Sequence, residues 1–127
     1  MPGAMQITAT DFVTVPTQDF ERAKAFYRDT LGLEEGPQWG DMPAQEFETG
    51  SLTIAVMDPT AFGQEFKPGG GSSIVMRVED FDAAKAELEG KGVAFVTDKI
   101  DSGVCHQAYF LDPDGNVLGI HHRYKPR

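Results

Sequence analysis

The residues best equipped for chemistry in this chain lie towards its C-terminus. From Phe110 to Tyr124 it reads FLDPDGNVLGIHHRY, preceded by the single cysteine, Cys105, and a further histidine, His106. Imidazoles, a thiol and carboxylates gathered this closely suit either cation coordination or proton transfer near neutral pH. Neighbouring residues on a strand point to opposite faces, so His121 and His122 cannot chelate one ion while the strand stays regular. By the same alternation His121 shares a face with Gly119, and His122 shares the other with Leu118 and Ile120. The DPDG segment reads as a turn between strands. It does not fit a calcium loop, because its glycine stands fourth rather than sixth and Arg123 falls where a bidentate Glu is needed. Pairing Leu111 with Asn116 across that turn sets His106 opposite His121 and Ala108 opposite Gly119. A slip of one residue sets Cys105 opposite His121 instead, and both registers stay open. The cluster is then a ligand-recognition dyad, an acid–base pair of His106 and His121, a displaced metal site joined by Glu46 or Glu48, or a polar hairpin end bonded to backbone and water.

These residues need a frame, and composition bounds it. A chain of 127 residues suits one domain with a modest core. With 20 acidic against 11 basic side chains, the net charge of -9 speaks against nucleic acid, whose phosphates need clustered Lys and Arg, and against anionic membrane surfaces. One cysteine permits neither an intrachain disulfide nor a thiol-rich zinc site. No apolar run reaches the length of a membrane span and no signal peptide is visible, so a cytoplasmic location is expected. The domain is placed at residues 5–127, with residues 1–4 read as tag or disordered start. The GGGSS run lacks the Lys and helix of a phosphate loop, and Ser51, Ser72 and Ser102 lack the glycine elbow of a nucleophile.

An internal repeat decides the architecture. DFERAKA begins at Asp19 and DFDAAKA at Asp80, an offset of 61 residues. Each Asp suits a helix N-cap. Phe20, Ala23 and Tyr27 recur as Phe81, Ala84 and Leu88, at spacings that share one helical face. Gly32 and Gly92 follow as left-handed stops. Strand-like runs precede each helix at residues 8–15 and 72–78. Others follow at 38–49 (broken at Pro43) and 52–57, then at 94–97, 105–111 and 117–122. The fold predicted is α+β: two tandem βαβββ modules, residues 6–58 and 72–123, forming half-barrel sheets around a cavity and joined by a Pro- and Gly-rich linker over 59–71.

The repeat, the AFYRDTLGL helix end and the DPDGN turn together resemble the vicinal oxygen chelate superfamily, which includes glyoxalase I, bleomycin resistance proteins, fosfomycin resistance enzymes and extradiol dioxygenases. The resemblance spans nearly the whole chain and implies fold far more than activity. Metal-dependent members supply one ligand from the first and one from the last strand of each unit, usually His, Glu or Gln. The positions implied here are Phe12, Ala55, Ser73 and Gly119, the last standing where relatives carry the Glu of a DPDGN-x-x-E pattern. Moving the first strand by one residue brings in Asp11 but turns its apolar set to the other face, and still falls short of a three-ligand zinc site. The expectation is no metal cofactor and a dry pocket for a small hydrophobic or aromatic molecule. Its candidate lining is Phe12, Trp39, Phe47, Ala55, Met57, Ser73, Met76, Cys105, Tyr109, Gly119 and His121, with Trp39 and Phe47 equally suited to the core. The alternative is an enzyme of the same superfamily (lyase, isomerase or dioxygenase) using a relocated metal or the His106/His121 pair. Arg123 and Tyr124 would cap a pocket mouth or a dimer contact. The resemblance also implies a homodimer, consistent with sheet edges that a second copy would cover.

Overall fold

Both repeat aspartates cap helices. In the computed structural model, which describes residues 5–68 and 72–126, the Asp19 carboxylate accepts the backbone N–H of Arg22 and that of Asp80 accepts Ala83 N–H. They open α1 (Phe20–Ala25), extended by a π-type turn over Phe26–Thr30, and α2 (Phe81–Gly90). Gly32 and Gly92, at φ 69° and 89°, turn the chain out of each helix in the left-handed region that a side chain would strain. The proposed start at residues 1–4 and Gly69, Gly70 and Gly71 of the linker lie outside the described residues.

The strands are β1 (Val13–Pro16), β2 (Glu34–Gln38), β3 (Ala44–Glu48), β4 (Thr53–Met57), β5 (Ile74–Arg77), β6 (Ile100–Asp101), β7 (Cys105–Leu111) and β8 (Val117–Arg123). They make two mixed four-stranded sheets of identical order, β1-β4-β3-β2 and β5-β8-β7-β6. The first strand of each pairs in parallel with the last, Thr14 beside Ala55 and Val75 beside Gly119, so the same pairing recurs in both modules. Each sheet packs one face on its helix. Val15, Phe47, Ile54 and Val56 lie against Ala23 and Tyr27, while Ala108, Phe110, Leu118 and Ile120 lie against Phe81 and Leu88, in one continuous buried cluster. Alternate residues form an open face on each sheet.

Several local expectations are corrected. Residues 8–12 are not strand, because β4 begins at Thr53 and offers β1 no partner before Val13. The first half's second strand starts earlier than expected, at Glu34, and a shift in its pairing between Glu35 and Gln38 hides it from simple alternation. The strand expected at 94–97 is reduced to one bridge, Phe95 to Phe110, and the strand that pairs with β7 is β6. The linker holds a short 3₁₀ turn, Pro59–Phe62, capped by Asp58 and closed by Gly63 at φ 78°.

The β7–β8 hairpin follows neither proposed register. Leu111 pairs with Val117, so His106 faces His122, Gln107 faces His121 and Cys105 faces Arg123. The reason lies in the turn. Asp112 N–H donates to the Asn116 carbonyl, leaving a three-residue loop in which Gly115 takes φ 87°. The loop is also buried, and it fastens the two modules together. Asp112 Oδ2 accepts Tyr27 O–H and the Asn116 amide, each at 2.8 Å, and the same Asn116 amide donates to the Pro16 carbonyl at 2.8 Å. Asp114 Oδ1 accepts Gln18 N–H at 3.1 Å. Among the described residues no helix is long and apolar enough to cross a membrane.

Candidate functional site

Two grooves carry the candidate sites and share no lining residue: one on the open face of the first sheet, the other wrapping the β5 edge of the second so that it takes in residues of both sheet faces. The first, about 570 Å3, is lined by Phe12, Thr14, Pro16, Trp39, Met57, Pro59, Phe62, Gln64, Glu65 and Lys67. Its wall is aromatic. The Trp39 ring meets Phe12 edge-on with centroids 5.1 Å apart, and Phe62 at 6.2 Å. Trp39 Nε1–H donates to Glu46 Oε2 at 2.7 Å, which fixes the indole plane while its faces stay apolar. Phe12 and Phe62 are each 41% exposed, so their rings are open to a guest and not consumed by the core. Phe62 escaped the sequence reading because it sits in the linker. Its signal was local: Asp58 and Pro59 open a turn in the manner of a cap and first helical residue, and Gly63 closes it.

The second groove, about 1240 Å3, runs where the β3–β4 turn of the first module meets the β5 edge of the second. Leu31, Leu33 and Leu52 border it from one side, with Val75, Leu88 and Ile120 from the other. Its polar groups come from Arg77, Gln107, His121, His122 and Arg123 on the second sheet and from Thr49, Ser51 and Glu87 elsewhere.

The expected site residues separate accordingly. Phe12, Trp39 and Met57 come together in the aromatic groove, with Ala55 fully buried on the same face beneath Thr14 and Glu46, its neighbours on β1 and β3. Phe47 does not belong to either groove; it is fully buried on the helix side against Tyr27, at 5.8 Å between centroids. Met76 turns to the helix side, level with Ile120, and both line the second groove where it wraps the β5 edge. Tyr109 and Gly119 are neighbours on the open face of the second sheet, and Ser73 lies exposed just before β5. Cys105 sits on that face with its Sγ 3.7 Å from an Arg123 guanidinium nitrogen.

His106 and His121 are not brought together. They occupy opposite faces of the second sheet, since His106 is level with His122 and His121 with Gln107. The His106 ring packs between Phe81 and Tyr124 and points its Nε2 at Asp101 Oδ2, 3.2 Å away. Asp101 also accepts the Tyr124 O–H at 2.7 Å, and this bond, then the Gly103 N–H, holds its carboxyl below the usual range. His122 Nδ1 lies 3.0 Å from the Val78 carbonyl. These imidazoles serve the frame, with partners in backbone and edge residues.

The four positions implied for a metal do not offer a donor set. Phe12 precedes β1 and Ala55 lies on the first sheet, Ser73 precedes β5 and Gly119 lies on the second, and neither groove contains all four. At Gly119 a Cβ would lie 3.0 Å from the Tyr109 ring and 3.1 Å from the Ala108 carbonyl, so the ring occupies the space a ligating side chain would need. Among the described residues no three His, Cys, Asp or Glu side chains are grouped to hold a metal ion.

Comparison with known proteins agrees with the frame. The glyoxalase/bleomycin resistance protein/dioxygenase superfamily model matches residues 9–120. The fold is similar to that of TnmS3, an antibiotic-binding protein from Streptomyces sp. CB03234, at 30% identity and TM-score 0.76 over 94% of this chain and 99% of that one. A glyoxalase-family protein from Bacillus anthracis gives 26% identity and TM-score 0.77 over 94% of this chain and 98% of that one. YraH of Bacillus subtilis is 28% identical over 81% of this chain and 89% of its own length. With two sheets of one order, a repeat held in register and a family match across most of its length, the chain belongs to the glyoxalase/bleomycin resistance protein/dioxygenase superfamily.

Proposed function

We propose that the protein binds a small hydrophobic or aromatic molecule, seated on Phe12, Trp39 and Phe62, and that it does so without a metal ion. The observation that carries this reading is the anchored indole: Trp39 is held by Glu46 while two half-open rings flank it. A rigid, apolar, partly open aromatic surface with one polar anchor is the usual composition of a small-molecule seat. The similarity to an antibiotic-binding protein at 30% identity supports it. Each aromatic contact adds about 0.5–1.5 kcal/mol beyond area burial, so two flanking rings are worth roughly a factor of ten in affinity. An acid–base role for His106 with His121 has no geometric support, because the two rings lie on opposite sides of a sheet.

The active form proposed is a homodimer. The strand β1 is a sheet edge, and Val13 on it is 37% exposed, leaving an apolar edge for a second copy to cover.

The chain has a single Trp, so its emission reports on the seat directly. Titration with 1-naphthol is expected to quench Trp39 saturably, and decahydro-2-naphthol to bind more weakly. Phe12→Ala combined with Phe62→Ala is expected to weaken 1-naphthol binding about tenfold. Unchanged affinity in that variant would remove the seat from those rings.

A further inference from the structure

The two copies of the repeat differ chemically at one matched set of positions. On the first sheet Pro16, Met57 and Ala44 lie side by side across β1, β4 and β3. The matching places on the second sheet, across β5, β8 and β7, hold Arg77, His121 and Gln107. One backbone frame therefore carries three apolar groups in one module and three hydrogen-bonding groups in the other. Arg123, two residues beyond His121, extends the same face.

The charges of this patch are unmatched. Arg22, Lys24, Arg28, Lys85, Lys91 and Lys99 each pair with a carboxylate. Arg77 and Arg123 pair with none among the described residues, as is also so of Lys67 and Lys125 outside this groove, in a chain where acidic groups outnumber basic ones 20 to 11. Arg123 Nε is also buried without an acceptor, a state that costs free energy until an acceptor arrives. Glu87, the one carboxylate among the described groove residues, already faces Lys91 at 3.7 Å. Around the β5 edge, towards the helix side, the same groove turns apolar at Leu31, Leu33, Leu52 and Leu88.

We propose that this groove binds a free amphipathic organic acid, its anionic head on Arg77, His121 and Arg123 and its hydrocarbon body along those leucines. A guanidinium recognises a carboxylate with two parallel bonds, which adds orientation to attraction. The groove shares no residue with the aromatic seat, so this site stands or falls separately from the reading above.

The test is calorimetric titration of the full chain with octanoate, 1-octanol and acetate. Octanoate is expected to bind saturably and at least about tenfold more tightly than either control, a gap of roughly 1.4 kcal/mol. Raising salt from about 20 to about 300 mM is expected to weaken octanoate and leave 1-octanol unchanged. Arg77→Gln/Arg123→Gln is expected to cut octanoate affinity about tenfold with no effect on 1-octanol. Should the double variant fold poorly by circular dichroism, Arg77→Gln alone, at an exposed position, and the salt series carry the test. Octanoate affinity equal to that of 1-octanol, or insensitive to salt and to the loss of Arg77, overturns the proposal. Acetate binding as tightly as octanoate overturns the amphipathic part of it.

Discussion

Tyr27 shows how one side chain ties local structure to the rest of the molecule. It is fully buried, and its hydroxyl donates to Asp112 Oδ2 at 2.8 Å. Burial, then the adjacent Asp112 charge, pushes its ionisation far above the ordinary phenol value. A folded pKa raised above the unfolded one gives stability that is whole below about pH 10 and declines as pH rises further, by up to about 1.4 kcal/mol per pH unit. Urea unfolding of the native protein is therefore expected to weaken above about pH 10, and Tyr27→Phe to flatten that decline while lowering stability by about 1–3 kcal/mol at neutral pH. A native profile no steeper than the variant's would contradict this account. Gly119 makes the second case at this scale. Because a methyl there meets both the Tyr109 ring and a backbone carbonyl, Gly119→Ala is expected to cost about 1–3 kcal/mol in chemical denaturation. A neutral result would mean that the ring yields freely.

Among the elements, the helices depend on their caps. Asp80 takes Ala83 N–H at 3.0 Å, and Asp80→Ala is expected to remove about 0.5–2 kcal/mol, seen as a lower urea midpoint with unchanged slope. Helix positions, caps and glycine stops were legible in the sequence because each depends on residues within a turn or so of one another. The β7–β8 register was not. It depends on whether Asp112 and Asn116 pair, which makes the loop three residues long, and that pairing is fixed by Asp112 accepting the N–H groups of Asp114 and Asn116 at 2.9 and 2.8 Å. A change of one residue was enough to part His106 from His121, and with them the proposed catalytic pair.

For the molecule as a whole, the DPDGN turn is a joint between modules. Asn116 donates its amide to Pro16 across the junction and to Asp112 within the turn. Asn116→Ala is expected to cost at least about 2 kcal/mol. It is also expected to separate the unfolding of the two modules, so that the fluorescence of Trp39, the single Trp and in the first module, no longer coincides with far-ultraviolet dichroism. Coincident transitions in the variant would mean that the shared apolar cluster alone couples them. At the same scale belongs the metal. Treatment with a chelator is expected to leave both the melting temperature and 1-naphthol affinity unchanged; a fall in either would restore a metal to the site.

By itself the sequence determined the repeat, the two capped helices, most strands and the residue types at the four metal-ligand positions. These rest on periodicity, on local caps and on side-chain identity, none of which needs distant contacts. Only the tertiary structure decided that Phe47 faces the core, that Phe62 joins Trp39, and that Arg77, His121 and Arg123 share a groove in which neither arginine has a carboxylate partner among the described residues. Those outcomes turn on which face a residue presents and which distant chain segment meets it. Strand register and module packing set both, and they are properties of the assembled sheets.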